Sequence, residues 1–118
     1  MAARSFRILL RNITNLTLRR TDLKLDHGEF SNGGGFVPPE TIAPLSRGEW
    51  QSESDGGGTG TEGSVVYTSD RGDLRIHWDN PFIGSNVLEI EPPNGFDFSN
   101  TDISGNDASV TVTFSPLI

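Results

Sequence analysis

Apolar and polar residues alternate in short runs along most of this chain. In Ser5–Asn12, Phe6, Ile8 and Leu10 share one parity, and Arg7, Leu9 and Arg11 share the other. Period-two alternation of this kind predicts a half-buried strand. Residues 16–25 predict a second strand. Leu16 and Leu18 hold one parity there, Leu23 and Leu25 the other. A one-residue shift near 19–22 reconciles them, which is the pattern of a β-bulge. An amphipathic helix is the rival reading, but Thr17, Thr21 and the missing i, i+4 stripe disfavour it. The short polar connection 12–15 predicts a hairpin turn.

Further along, Gly33-Gly34-Gly35 marks a flexible loop, and 40–44 reads as a connector lying across the core. Strands are predicted around Trp50, over 64–69 and over 73–78, the last two joined by a tight turn at Asp70-Arg71-Gly72. Residues 87–91 and 108–114 alternate again, whereas 96–107 is polar and reads mostly as loop. Seven or eight short strands with frequent turn signals predict an all-β fold, a sandwich or a barrel.

Composition narrows this further. The 118 residues fit one domain, 1–118, able to bury roughly 65% of its unfolded surface. There is no Cys, so no disulfide framework and no thiolate metal site can form. Residues 1–7 contain Arg4 and Arg7 and do not resemble a signal peptide, and no apolar run approaches a membrane-spanning length. The expectation is a protein made soluble in the cytoplasm. The sequons at Asn12 and Asn15 are read as accidental on that basis. The net charge of −7 disfavours nucleic acid as a partner. The charge is uneven, at +4 over residues 1–27 and −11 over the rest. Either the basic strands pair with acidic ones, or they form a face for anionic head groups.

Candidate chemistry is sparse. His27 and His77 lie fifty positions apart, and His77 is placed on the solvent face of its strand. No nucleophile elbow is present, and 97–102 lacks the Gly and final Glu of a calcium loop. The expectation is therefore no enzyme, no cofactor and no metal. Glu89 and Glu91 share a strand face where arginines on a neighbouring strand could meet them. Gly58-Thr59-Gly60-Thr61-Glu62-Gly63 matches G-x-G-x-x-G. That fingerprint requires a following helix, and Val65-Val66-Tyr67 predicts a strand instead. A phosphate loop fails as well, because no Lys follows and Glu62 would repel phosphate. The run is read as a turn that opens a strand, with Glu62 accepting backbone N–H bonds.

Two strings carry a resemblance. Thr59-Gly60-Thr61-Glu62-Gly63 precedes one strand, and Asp79-Asn80-Pro81-Phe82-Ile83-Gly84-Ser85-Asn86 follows the next. In this order and spacing they resemble the aegerolysin family, and within it the small component of Bacillus-type binary insecticidal crystal toxins. The resemblance extends more weakly to the N-terminal strands and to His27-Gly28-Glu29-Phe30. It implies a compact antiparallel β-sandwich of the aegerolysin or actinoporin-like kind. It also implies a non-enzymatic toxin component that binds membrane lipids and acts outside the producing cell. A larger pore-forming partner protein, and homo-oligomers on membranes, belong to that picture. Gly60, Thr61, Glu62, Gly63, Asp79, Asn80, Pro81, Gly84, Ser85 and Asn86 are then structural motif positions. Fungal members carry Trp-rich lipid surfaces, whereas here Phe82 follows Pro81.

The lipid-contact candidates are Trp50, Trp78, Phe82 and Ile83. Pro81 and Gly84 favour a tight turn that would present Phe82 and Ile83 at a loop tip. The opposing expectation is that Phe82 folds back and plugs the end of the sandwich. A soluble glycan- or protein-binding module without membrane activity is the alternative function.

Overall fold

The computed structural model describes residues 2–117, which form ten strands and no helix among them. These are β1 (Ser5–Asn12), β2 (Leu18–His27), β3 (Glu29–Phe30), β4 (Thr41–Ile42), β5 (Arg47–Glu53), β6 (Thr61–Ser69), β7 (Gly72–Asn80), β8 (Val87–Glu91), β9 (Phe96–Asn100) and β10 (Asp107–Pro116). One sheet has the order β3-β5-β1-β10-β9, and the other β4-β2-β6-β7-β8. The pairings are antiparallel, except that β1 lies parallel to β10. The all-β sandwich read from the alternation is the fold observed.

Inward parity builds the core. Phe6, Ile8, Leu10, Trp50, Val110, Val112 and Phe114 of one sheet face Leu18, Val65, Tyr67, Leu74, Ile76 and Trp78 of the other, all buried. The two indoles touch across the sheets, with ring centroids 5.8 Å apart. Trp78 Nε1 donates to Ser52 Oγ at 2.9 Å, while buried Trp50 Nε1 has no partner. Such an orphan donor costs about 1–3 kcal/mol, which burial of the large ring offsets. The bulge read at 19–22 is present as a register shift between Arg20 and Asp22. It turns Leu23 and Leu25 toward the core beside Leu18 despite their opposite parity. The turn at Asp70-Arg71 joins β6 and β7 as expected, with Ser69 paired to Gly72.

Two expectations are corrected. Residues 12–15 do not make a hairpin, since β1 and β2 belong to opposite sheets. Buried Asn12 organises the crossing instead. Its Nδ2 donates to the Leu16 and Ala43 carbonyls, and its Oδ1 accepts from Thr14 N and Oγ1. This frees Leu16 and Leu18 to enter the core from the other side. Residues 96–107 are not mostly loop either, because 96–100 pair with β10 as an edge strand. Phe96 stacks on Phe114 at 5.3 Å and Phe98 packs on the core. Only two apolar residues carry that alternation, too few to stand out from a polar background.

Candidate functional site

The register of the second sheet brings the two motif strings side by side. Thr61 pairs with Asn80, Glu62 with Asp79 and Gly63 with Trp78, at the start of β6 and the end of β7. His27, at the end of β2, pairs with Glu62 from the other side. All three strings singled out in the sequence therefore meet at one end of the sandwich.

Close approach explains the small residues. A Cβ on Gly60 would overlap the Asn80 carbonyl and crowd Pro81 Cα at 2.8 Å. A Cβ on Gly63 would lie 2.6 Å from the Trp78 ring and 2.9 Å from the Lys24 carbonyl. Neither distance is tolerable, so both positions need glycine. Buried Thr61 Oγ1 is 2.7 Å from Ser52 Oγ and 3.1 Å from the His27 carbonyl, linking the two sheets.

The asparagines of the second string act as clamps. Asn80, 1% exposed, directs Nδ2 to the carbonyls of Ser5, Asn106 and Gly105 at 2.9, 2.9 and 3.2 Å. Asn86 Nδ2 donates to the carbonyls of Ile103 and Gly105 at 2.7 and 2.9 Å. The loop between them is held at both ends, and Gly84 (φ +110°) makes its turn. At the tip, Ile83 is 86% exposed and Phe82 40%. Phe82 does not plug the sandwich. The Arg4 guanidinium lies 4.6 Å above its ring, and Arg4 Nη2 donates to its carbonyl at 2.9 Å. A cation on an aromatic face adds about 0.5–1 kcal/mol at an exposed site. Trp50 and Trp78 are corrected as lipid-contact candidates: both are fully buried in the core and present nothing to a membrane.

On one side of the Pro81-Phe82 ridge lies a cleft of about 560 Å3. Phe82 and Pro81 form its apolar wall, and Asp26, Asp55, Glu62 and Asp79 its acidic rim, with His27 between. Glu62 does not anchor a turn through backbone N–H groups, as the sequence suggested. Its carboxylate meets His77 Nε2 at 2.8 Å, and Glu89 meets His77 Nδ1 at 2.8 Å. His77 is thus held between two carboxylates rather than free on the surface. Burial opposes its charge, but the hydrogen bonds and fields of Glu62 and Glu89 outweigh that and raise its pKa above the usual value. Asp79 is also pushed up, by burial first and then by the negative charge of Glu62. Glu89 is matched by His77, and Glu91 pairs in register with Arg75. Among the described residues, no group of three His, Asp or Glu is placed to hold a metal ion.

Sequence reasoning missed Arg4, Asp26 and Asp55 as neighbours of the tip. No local signal marks them, because the sheet register and the 54–60 loop bring them there.

No family model matches the chain. An uncharacterized protein of Dictyostelium discoideum is 35% identical over 111 residues, which is 92% of this chain and 10% of that protein. The chain thus spans about a tenth of the length of that curated relative. Among solved structures, the crystal structure of the lipid binding protein Nakanori matches with a TM-score of 0.79. The match covers 98% of this chain and 72% of that one at 14% identity, a likeness that shows a common fold.

Proposed function

We propose that this domain binds the surface of a lipid membrane through the Phe82–Ile83 end. The observation that carries the reading is an apolar tip, Ile83 86% exposed, on a loop held rigid by Asn80 and Asn86. A clamped loop loses little conformational freedom on docking, so more of its apolar burial appears as affinity. The four carboxylates around the cleft select against anionic lipid and suit a neutral or zwitterionic surface. The fold shared with a lipid binding protein supports the same reading.

The two side chains supply only a few kcal/mol, at about 25 cal/mol per Å2 of buried apolar area. Firm attachment then requires several copies or a partner. We extend the proposal accordingly: the domain is the lipid-binding component of a membrane-permeabilising toxin, acting outside its cell with a larger pore-forming protein. The T-G-T-E-G and D-N-P-F-I-G-S-N strings support that extension. A second reading is a soluble module binding a glycan or protein in the acidic cleft. It is favoured by the size of the cleft and by the small share of the Dictyostelium relative that the chain spans.

Co-sedimentation with phosphatidylcholine vesicles, alongside dye leakage, separates the two. The proposal expects binding that Phe82→Ser with Ile83→Ser reduces strongly, and no leakage until a larger partner is added. Absence of binding to neutral and anionic vesicles alike would leave the soluble module as the better account.

A further inference from the structure

At the opposite end of the sandwich, the corner formed by β1 and β5 carries cations with no acid lining the cleft beside them. Arg11 on β1 and Arg47 on β5 face each other directly in the antiparallel register. Like charges in that position repel. Neither forms an ion pair among the described residues, and Glu49, the acid nearest in sequence on β5, is engaged by Arg7 at 2.9 Å. Beside them stand two exposed apolar side chains, Ile13 (41%) and Leu45 (79%). Leu45 also has a φ of +58°, a left-handed conformation that a branched side chain adopts at a cost. Arg11, Ile13, Leu45 and Arg47 line one cleft of about 350 Å3. The Leu45 backbone serves the 43–46 turn, its N–H donating to the Thr14 carbonyl at 3.2 Å, but its exposed side chain and the repelling cation pair have no partner within the fold among the described residues.

We propose that this end is a second docking surface, for a membrane bearing anionic phosphate head groups. The two guanidiniums would take phosphate oxygens, whose geometry they match, while Leu45 and Ile13 enter the interfacial layer between head groups. The charge here opposes the overall −7, so only an oriented molecule, with its acidic end turned away, can approach an anionic surface. The inference stands independently of the Phe82–Ile83 reading, since it uses other residues some distance along a molecule 43 Å long. If both hold, the domain is two-ended and bridges surfaces.

The test compares phosphatidylcholine vesicles with and without phosphatidylserine, by co-sedimentation at low and high salt. Phosphatidylserine is expected to strengthen binding, and salt to reverse the gain. Arg11→Gln with Arg47→Gln should cost about thirtyfold in affinity for the anionic vesicles, at roughly fivefold per arginine. Phe82→Ser with Ile83→Ser should leave the phosphatidylserine-dependent part intact, so failure of one end is distinguishable from failure of the other. Leu45→Gly provides a readout that a structural role would not give. It should weaken anionic-vesicle binding while leaving the melting temperature unchanged or higher, because glycine relieves the positive φ. Binding indifferent to phosphatidylserine, or unaltered in the arginine variants, would overturn the proposal. So would low-salt self-association without vesicles that the same variants abolish, since the basic end would then be taking the acidic cleft of a second copy.

Discussion

At the Phe82 end, almost every motif residue is committed to another part of the chain. Gly60 and Gly63 admit backbone and indole at distances no side chain allows, Thr61 links the sheets, and Asn80 and Asn86 hold the loop. At the Arg47 end, the side chains of Arg11, Leu45 and Arg47 have no such partners, and only the Leu45 backbone is tied down, by the Thr14 carbonyl. The contrast separates two ways of presenting a surface. One end exposes two apolar side chains on a scaffold fixed by buried hydrogen bonds. The other exposes two facing cations beside apolar side chains, which the proposed anionic surface would neutralise.

The sharpest break in this comparison comes from Asn80→Ala. It removes the side-chain hydrogen bonds to the Ser5, Gly105 and Asn106 carbonyls, of which Gly105 keeps Asn86 Nδ2 and Asn106 keeps the Ser5 N–H. At about 1 kcal/mol per bond lost it should cost about 3 kcal/mol, lowering the melting temperature by roughly 10 °C. A melting curve that overlays the native one would show that the clamp is dispensable. Gly60→Ala should cost about 2 kcal/mol through overlap with Asn80 and Pro81. Gly57→Ala, with open space around its Cβ, serves as the neutral control in the same denaturant titration. Ile83→Ser should leave stability unaltered and weaken binding to neutral vesicles about tenfold.

The smallest effect is on pH dependence. The folded-state pKa of His77 is raised, so its pairing with Glu62 and Glu89 stabilises fully below the ordinary histidine value near 6.5 and is lost as pH rises through the folded value. Asp79, also raised, acts in the same sense from its ordinary value near 3.8 upward. Native protein should therefore lose stability relative to His77→Gln as pH rises above the ordinary histidine value. Parallel pH profiles for the two proteins would remove His77 from the account.

The sandwich was legible because a half-buried strand must alternate, and β1, β7 and β10 do so over five or more residues. The bulge in β2 was legible for the same reason, as a break in parity that only an inserted residue can repair. The edge strand β9 was not, since two phenylalanines in a polar run resemble a loop. The crossing at 12–15 was missed because a short polar connection reads the same whether the chain reverses within a sheet or passes to the other. At the Phe82 end, the glycines and asparagines stood out as strings, yet their partners did not. Trp50 and Trp78 were placed among lipid contacts by their size, while the parity of Trp78 with Ile76 already favoured the core; Trp50, between Glu49 and Gln51, carried no such signal. The Arg47 end left no motif, because a cross-strand cation pair depends on register between distant segments.

The Phe82–Ile83 tip is proposed to enter the membrane interface. The chain contains no cysteine, so Ile83→Cys gives a single labelling position, with Ser99→Cys on an exposed edge as the reference. Each variant is labelled with an environment-sensitive fluorophore and titrated with phosphatidylcholine vesicles. A blue shift and protection from aqueous quencher at position 83, with neither at position 99, is the result expected. Vesicle binding by the labelled protein with no spectral change at position 83 would contradict the account.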